Sequence, residues 1–245
     1  MAFATEWPRI SALGTDGFLV TFADRLSEPA NRAALAFRHA LEQESWRGVE
    51  ETSTSLVSAY LRFDPRGASH AEIQSKLQHL LARENWFEVP LPQGRRLWRV
   101  PAVFGTELAP QLEEAAQAAG LTPEDAVASL TQTRVRVQTI GFAPGQPYLG
   151  ELPPAWDIPR QSQLTSQVPA GALAVAIRQL VLFPVPAPTG WRHVGQTCFQ
   201  LFRPDSDDPF VLRPGDELQF EPVGAETLAR MQSDPGGGAR AEVIR

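Results

Sequence analysis

The carboxy-terminal half of the chain consists of short β-type runs separated by glycine and proline, and this texture restricts its fold more than any other feature. Beyond Arg134 the runs are VRVQTIGF, GALAVAI, QLVLF, TCFQLF and DELQFEP. Many short strands with turn residues between them are typical of barrels, because closing the sheet removes its unpaired edges. We therefore predict a closed or nearly closed antiparallel β-barrel, followed by a frayed polar tail over residues 233–245.

The first ninety residues mix strands with helices. Two β-type runs, RISAL and FLVTF, flank a Gly-Thr-Asp-Gly turn and predict a hairpin. A helix is expected after the capping residue Ser27, a strand over residues 55–63, and a second helix after Ser69, which has capping-box spacing to Glu72. The predicted order is strand, strand, helix, strand, strand, helix, with the helices covering one face of a small sheet.

Proline and glycine mark a boundary between these two textures. Pro90, Pro92 and Gly94 interrupt the pattern and indicate a linker. The predicted fold class is therefore α+β, with a small N-terminal α+β domain over residues 1–92 and a C-terminal β-barrel domain over residues 93–245. Near the start of the second domain we expect a helical pair, the second helix capped by Thr122 with Pro123 at its first position.

Charge and composition exclude several classes of protein. The chain of 245 residues has a formal net charge of −6, which leaves no positive surplus for binding a phosphate backbone or an anionic membrane. Its most apolar window, VPAGALAVAIRQLVLFPVPAP, has Arg178 and Gln179 at its centre, so two buried strands joined by a polar turn explain it better than a membrane span. The single cysteine and a start without a signal-peptide pattern predict a cytoplasmic protein.

The sequence offers no recognisable metal or phosphate motif. Its four histidines are scattered, so no metal site is predicted, and neither a phosphate loop nor a dinucleotide fingerprint is present. Cys198 lies five residues from His193, but its place in the apolar run TCFQLF favours a small buried thiol over a nucleophile.

A stiff loop at residues 141–150, GFAPGQPYLG, is the most unusual segment. Its prolines fix φ, while its glycines can take conformations that other residues avoid. Phe142 and Tyr148 within it suit either packing in a rigid turn or contact with a ligand. Arg160 has the planar fork that binds carboxylate or phosphate, but an exposed ion pair is the commoner use, and Trp191 is as well suited to a core as to a ligand platform.

Several separated segments together resemble one family. LAPQLEEAAQAAGLTPEDAV, IGFAPGQPYLGELP, VPAG, TGWRHVGQT and LRPGDELQFEPV occur in the order and spacing of the family of the 5-oxoprolinase B subunit, also called the KipI or allophanate hydrolase subunit 1 family. The resemblance implies a small N-terminal α+β domain followed by a cyclophilin-like barrel. It also implies a complex with two partner proteins, a C-type subunit (KipA-type) and an A-type subunit (LamB/YcsF-type). That complex opens the lactam of 5-oxoproline to give glutamate, with consumption of ATP, for which this chain has no binding motif of its own.

Carried onto this chain, the family's loop, proline-arginine, glutamine and tryptophan motifs give a candidate set for binding a small lactam or amide. Residue type and placement add a hypothesis for the chemistry, in which Arg160 supplies a cation, Gln179 orients the amide and the loop offers backbone N–H groups. The predicted substrate-binding residues are Gly141, Phe142, Pro144, Gly145, Tyr148, Arg160, Gln179 and Trp191.

Some family positions differ in this chain. Ile177 and Arg178 stand where the family has two glycines, Gln196 replaces an arginine, and Gln146 occupies a position that is usually aromatic. These departures leave two alternatives open. One is a non-catalytic regulatory or interaction protein of the KipI type, an inhibitor of a sensor histidine kinase. The other is a urea-carboxylase-like accessory module, which requires a biotin-bearing partner.

Overall fold

The chain divides into two compact units, and the division falls between Gln93 and Gly94. A computed structural model describes residues 7–244. Residues 1–6, part of the start on which the expected localisation rests, lie outside the described residues. None of the helices within residues 7–244 combines the length and the apolar character that crossing a membrane requires.

The amino-terminal unit is a four-stranded antiparallel sheet with two helices. In chain order its elements are β1 (Arg9–Leu13), β2 (Gly17–Thr21), α1 (Glu28–Gln43), β3 (Val49–Ser55), β4 (Ser58–Phe63) and α2 (His70–Leu81). The strand order is β1-β2-β4-β3. Phe18 of β2 lies opposite Leu61 of β4, and both belong to one core with Phe37 of α1 and Ile73 of α2. The two helices therefore bury the same face of the sheet.

Both helices of this unit begin where their capping residues predict. The Ser27 hydroxyl accepts a hydrogen bond from the backbone N–H of Ala30, and Ser69 and Glu72 form the reciprocal capping box of α2. The predicted strand over residues 55–63 is partly wrong. Leu56 has a left-handed φ of 45°, so the chain turns there and the second strand of the hairpin starts only at Ser58.

The carboxy-terminal unit contains most of the strands. In chain order its elements are β5 (Arg95–Phe104), α3 (Leu112–Ala118), α4 (Pro123–Gln132), β6 (Val135–Ile140), β7 (Pro147–Gly150), a short 3-10 helix (Pro154–Trp156), β8 (Thr165–Val168), β9 (Ala172–Ala176), β10 (Gln179–Leu182), β11 (Ala187–Thr189), β12 (Arg192–Gln196), β13 (Glu217–Pro222), α5 (Ala225–Arg230) and β14 (Arg240–Ile244). The predicted helical pair is α3 and α4, and the Thr122 hydroxyl caps α4.

Seven of these strands close into a barrel. Their order is β12-β9-β10-β7-β6-β13-β5, and β5 returns to pair with β12. The predicted fold class, α+β with a carboxy-terminal barrel, is confirmed. Closure depends on the length of β5, ten residues. Residues 97–102 pair with β13, while Val103 and Phe104 pair with β12.

Three details of the predicted barrel are wrong. The pairing of β13 with β5 is parallel rather than antiparallel, which is possible because the intervening chain is a long crossover. The tail is not frayed, since β14 pairs with residues 95–99 of β5. The run TCFQLF is not a strand: Phe199 and Leu201 are buried in the core, but the backbone N–H of Gln200 bonds to the Pro235 carbonyl in a loop. Its apolar alternation reports burial, not strand pairing.

The strands on one side of the barrel are buried on both faces. All five residues of β9 are buried. Leu173 and Val175 join the main core, whereas Ala172, Ala174 and Ala176 belong to a separate cluster on the opposite face. Val168 of β8, Ala187 of β11 and Trp191 complete that cluster. The two-stranded ribbon of β8 and β11 therefore covers the outer face of the barrel here, and the double burial confirms the predicted pair of buried strands.

A buried carboxylate ties three strands together where β13 begins. The side chain of Asp216 is 3% exposed and lies 2.7 Å from the Arg96 guanidinium. Its carboxylate also accepts hydrogen bonds from the backbone N–H groups of Arg96 and Arg213. The Asp216 carbonyl accepts from the backbone N–H of Val137 on β6. One residue thus links β5, β6 and the turn that leads into β13.

We expect Asp216→Ala to lower the free energy of unfolding by about 3–5 kcal/mol, because it leaves the buried Arg96 guanidinium without its partner. Asp208 gives a matched control, since its ion pair with Arg213 is exposed on both sides and Asp208→Ala should cost less than about 1 kcal/mol. Urea unfolding followed by circular dichroism measures both. Equal losses for the two variants would contradict the structural role of Asp216.

Candidate functional site

A small cleft on the outer face of the barrel gathers several of the predicted residues. Tyr148 of β7 and Val181 of β10 are cross-strand partners, and both belong to the outer cluster. The cleft has a volume of about 200 Å³, and we call it the aromatic cleft. It is lined by Phe142, Gln146, Tyr148, Arg160, Leu164, Val181, Phe183, Pro188, Thr189, Gly190 and Trp191.

Arg160 is held over the Trp191 ring at the edge of this cleft. Its guanidinium carbon lies 5.4 Å from the ring centroid. The residues on either side of Arg160 are both anchored: the Pro159 carbonyl accepts from the Arg192 guanidinium at 2.7 Å, and the backbone N–H of Gln161 donates to the Gly190 carbonyl at 2.7 Å. Within residues 7–244 we find no hydrogen bond or ion pair that occupies the Arg160 guanidinium. The arginine is therefore a positioned cation that is open to an anion.

The loop at residues 141–150 places an exposed aromatic ring beside that cation. Phe142 is 75% exposed and has a φ of 74°, a left-handed conformation that is strained for a bulky residue. The loop is braced from within, because the backbone N–H of Gly141 donates to the Gln146 carbonyl. A strained backbone that presents a large apolar side chain to solvent is typical of a binding surface rather than of a simple turn.

Gln146 supplies an unused acceptor in the same cleft. Its side chain is 2% exposed, and its Oε1 atom is buried without a hydrogen-bond partner among the described residues. An unpaired buried acceptor costs about 1–3 kcal/mol, so a ligand that donates a hydrogen bond here would relieve that cost. Sequence reasoning did not select Gln146, although its departure from the usual aromatic residue was a signal.

The structure brings together only part of the predicted set. Phe142, Tyr148, Arg160 and Trp191 line the aromatic cleft, whereas Gly141, Pro144, Gly145 and Gln179 are not among its lining residues. The Gln179 amide instead donates to Gln138 Oε1 at 2.6 Å, in a buried contact. Gly150 makes room for this contact, since a Cβ atom there would lie 2.5 Å from Gln138 Oε1.

A second and larger concavity lies beside β12. It has a volume of about 720 Å³, and we call it the histidine cavity. The two backbone hydrogen bonds of His193 go to Gln111, next to α3, which fixes the strand at this point. Residues lining the cavity are Glu107, Leu108, Pro110, Gln111, Thr165, Gln167, Val168, Pro169, Ala170, His193, Gln196, Thr197, Cys198, Ala225, Leu228, Ala229 and Gln232.

The polar groups of the histidine cavity are buried and electrically neutral. Burial lowers the pKa of His193 below its ordinary 6.5, although the carbonyl of Gly195 and the side chain of Gln196 partly oppose this shift. Burial also raises the pKa of the Cys198 thiol, which donates to the Leu228 carbonyl at 3.5 Å. Cys198 is half-buried in a loop rather than fully buried in a strand. Both groups are therefore uncharged at neutral pH.

Among residues 7–244, no group of three or more histidine, cysteine, aspartate or glutamate side chains could hold a metal ion. The cation available in the aromatic cleft is a guanidinium.

Comparisons with known proteins agree on one family. The family model described as the carboxyltransferase domain, subdomain C and D, matches residues 8–212. The chain is similar to the B subunit of 5-oxoprolinase from Bacillus subtilis (strain 168), with 30% identity over 223 residues, which is 86% of this chain and 91% of that relative.

Solved structures show the same fold. The crystal structure of TTHA0988 has a TM-score of 0.72 and 32% identity to this chain, and the match covers 86% of this chain but only 40% of that protein. The urea carboxylase of Kluyveromyces lactis has a TM-score of 0.72 at 17% identity, over 97% of this chain and 24% of that chain. At that identity the likeness concerns the fold alone.

The lowered pKa of His193 predicts a pH-dependent stability. In the unfolded chain the ring gains a proton near its ordinary 6.5, whereas in the folded chain it does so only at lower pH. Below pH 6.5 the unfolded chain therefore binds more protons, and the free energy of unfolding falls as the pH falls. His193→Phe should lack this component.

Urea unfolding of the parent and of His193→Phe between pH 8 and pH 5 measures the difference. Imidazole NMR gives the pKa directly. A His193 ring that titrates at or above the ordinary value would show that its environment is not the buried one described above.

Proposed function

Because the chain belongs to the family of the 5-oxoprolinase B subunit, we propose that it is one component of an ATP-dependent complex that opens the lactam of 5-oxoproline to give glutamate. The observation that carries the proposal is the aromatic cleft, where an unoccupied guanidinium, an unpaired buried amide oxygen and aromatic walls lie together. In this proposal the cleft binds the lactam.

The functional groups of 5-oxoproline match those of the cleft one by one. Its carboxylate binds the Arg160 guanidinium, which has the fork geometry for two parallel hydrogen bonds. Its ring N–H donates to the buried Oε1 of Gln146. Its apolar ring carbons pack against Trp191 and Tyr148, whose rings meet edge to face at a centroid distance of 6.2 Å. A cleft of about 200 Å³ suits a ligand with a single five-membered ring.

Binding in this orientation leaves the reacting carbonyl free of the groups that hold the molecule. Lactam opening requires the carbonyl to be activated, most simply by transfer of a phosphoryl group from ATP to its oxygen, before water adds to the carbon and the ring C–N bond breaks. The nitrogen remains a hydrogen-bond donor after the bond breaks, so Gln146 holds it throughout. This chain thus positions the substrate, and ATP acts as a co-substrate of the complex.

The hypothesis that Gln179 orients the amide is replaced in this proposal. Gln179 is bonded to Gln138 and does not line the cleft, so the role passes to Gln146. Arg160 keeps the role that its residue type indicated. We also propose that a C-type partner (KipA-type) covers the mouth of the cleft, because Phe142 and Leu164 are 75% and 72% exposed there. An A-type partner (LamB/YcsF-type) completes the complex.

We expect Arg160→Ala to lower kcat/KM for 5-oxoproline between about ten and about one hundred fold, since it removes charged hydrogen bonds of about 1.5–3 kcal/mol. Arg240→Ala is the matched control, because Arg240 is exposed and paired with Glu221 on the surface. The assay is ATP-dependent glutamate release by the complex reconstituted with its A-type and C-type partners.

Unchanged turnover in Arg160→Ala would remove the cleft from the proposal. No turnover in the complete parental complex would instead favour the alternative of a regulatory interaction protein, which stays a prediction.

Gln146→Leu separates binding from folding. It removes an unpaired buried acceptor, so the free energy of unfolding should not fall, but the variant should bind 5-oxoproline about ten-fold more weakly through loss of one hydrogen bond. An N-methylated lactam cannot donate that bond, and its affinity should be the same in parent and variant. Isothermal titration of both ligands gives the comparison. An equal loss for the two lactams would contradict the role of Gln146.

A further inference from the structure

The histidine cavity has no role in the function proposed above, yet it contains two buried polar atoms with no partner. Within the described residues, neither His193 Nε2 nor Gln196 Oε1 makes a hydrogen bond. Both side chains lie on the same side of β12, because the pairing of β12 with β9 shifts register between His193 and Gly195. The His193 ring and the Gln196 amide are close neighbours.

The other polar side chains at this end of the cavity are already satisfied. The Gln111 amide bonds to the backbone N–H of His193 at 2.9 Å and to Gln161 Oε1 at 2.8 Å. The Thr197 hydroxyl donates to the Gly171 carbonyl. The amide nitrogen of Gln196 donates to the Ala170 carbonyl at 2.8 Å, which holds that side chain in place. The two unpartnered atoms therefore belong to fixed groups.

Both unpartnered atoms are hydrogen-bond acceptors. The amide oxygen of Gln196 can only accept. The His193 ring is neutral, and the Gly195 carbonyl accepts a hydrogen bond from the ring, so the remaining nitrogen, Nε2, carries the lone pair. Two adjacent buried acceptors each require an N–H or O–H donor.

The surroundings favour a neutral donor over a cation. Apolar residues form much of the wall, among them Leu108, Val168, Ala225 and Leu228. Glu107, the charged residue of the lining, is exposed. A full positive charge against neutral acceptors in an apolar wall would lose its hydration without a buried counter-charge. A primary carboxamide instead offers two N–H donors without net charge.

We propose that the histidine cavity is a second ligand site, which binds a small molecule carrying a primary carboxamide group. One N–H donates to His193 Nε2 and the other to Gln196 Oε1. The cavity of about 720 Å³ is much larger than a carboxamide, so the apolar wall holds an apolar body attached to it. This site is separate from the aromatic cleft, with which it shares no lining residue.

Cys198 provides a built-in reporter of occupancy. It is the chain's one cysteine and it lines the cavity. The probe is benzamide, and the matched control is N,N-dimethylbenzamide, which keeps the ring and the carbonyl but has no N–H. Imidazole NMR of the full chain gives the dissociation constant from His193, while His39, His70 and His79 of the amino-terminal unit serve as internal controls.

We expect benzamide to shift the His193 resonances and to halve the rate of Cys198 modification by N-ethylmaleimide when its concentration equals that dissociation constant, because about half the sites are then filled. N,N-dimethylbenzamide should do neither. In His193→Phe, benzamide should lose at least about ten-fold in affinity, the loss expected for one buried hydrogen bond.

Equal effects of benzamide and its dimethyl analogue, or no effect of either at saturating concentration, would overturn the proposal. Tighter binding of benzamidinium than of benzamide would overturn the choice of a neutral donor. The comparison of ligands uses the parental chain, so it decides the question even if His193→Phe does not fold. It also leaves the aromatic cleft untouched, so its failure is distinct from failure of the lactam-opening function.

Discussion

The rest of the carboxy-terminal unit depends on the pairing of β5 along both of its edges. Because one edge pairs with β13 and the other with β12 and β14, the sheet closes and separates an interior from an outer face. The buried pair of Asp216 and Arg96 fixes the start of β13 against β5. The interior is filled by the main core, so any concave site must lie on the outside of the barrel.

The outer face becomes useful because a second layer covers it. The ribbon of β8 and β11 packs on β9 and β10 through small residues such as Ala174 and Ala187, and it leaves a concavity on each side. Its β11 side contributes Thr189 to the aromatic cleft, and its β8 side contributes Val168 to the histidine cavity. Motif residues that the sequence assigned to a single pocket are thereby divided between two.

Local signals in the sequence predicted local structure well, and non-local pairing poorly. Ser69 and Thr122 mark helix starts because a capping bond forms between residues close in the chain. The parallel partner of β13 and the docking of β14 depend on residues more than a hundred positions away, and no spacing rule reports them. At the site, residue type identified Arg160 and Trp191. Gln146 was missed because its significance lies in an unpaired oxygen, which only the packed structure shows.

The most direct test of lactam binding in the aromatic cleft is a crystal structure of the chain assembled with its partner proteins and soaked with 5-oxoproline. We expect the carboxylate within hydrogen-bonding distance of the Arg160 guanidinium, the ring against Trp191, and the lactam nitrogen on Gln146 Oε1. Lactam density elsewhere in the complex, with the aromatic cleft empty, would contradict that role of the cleft.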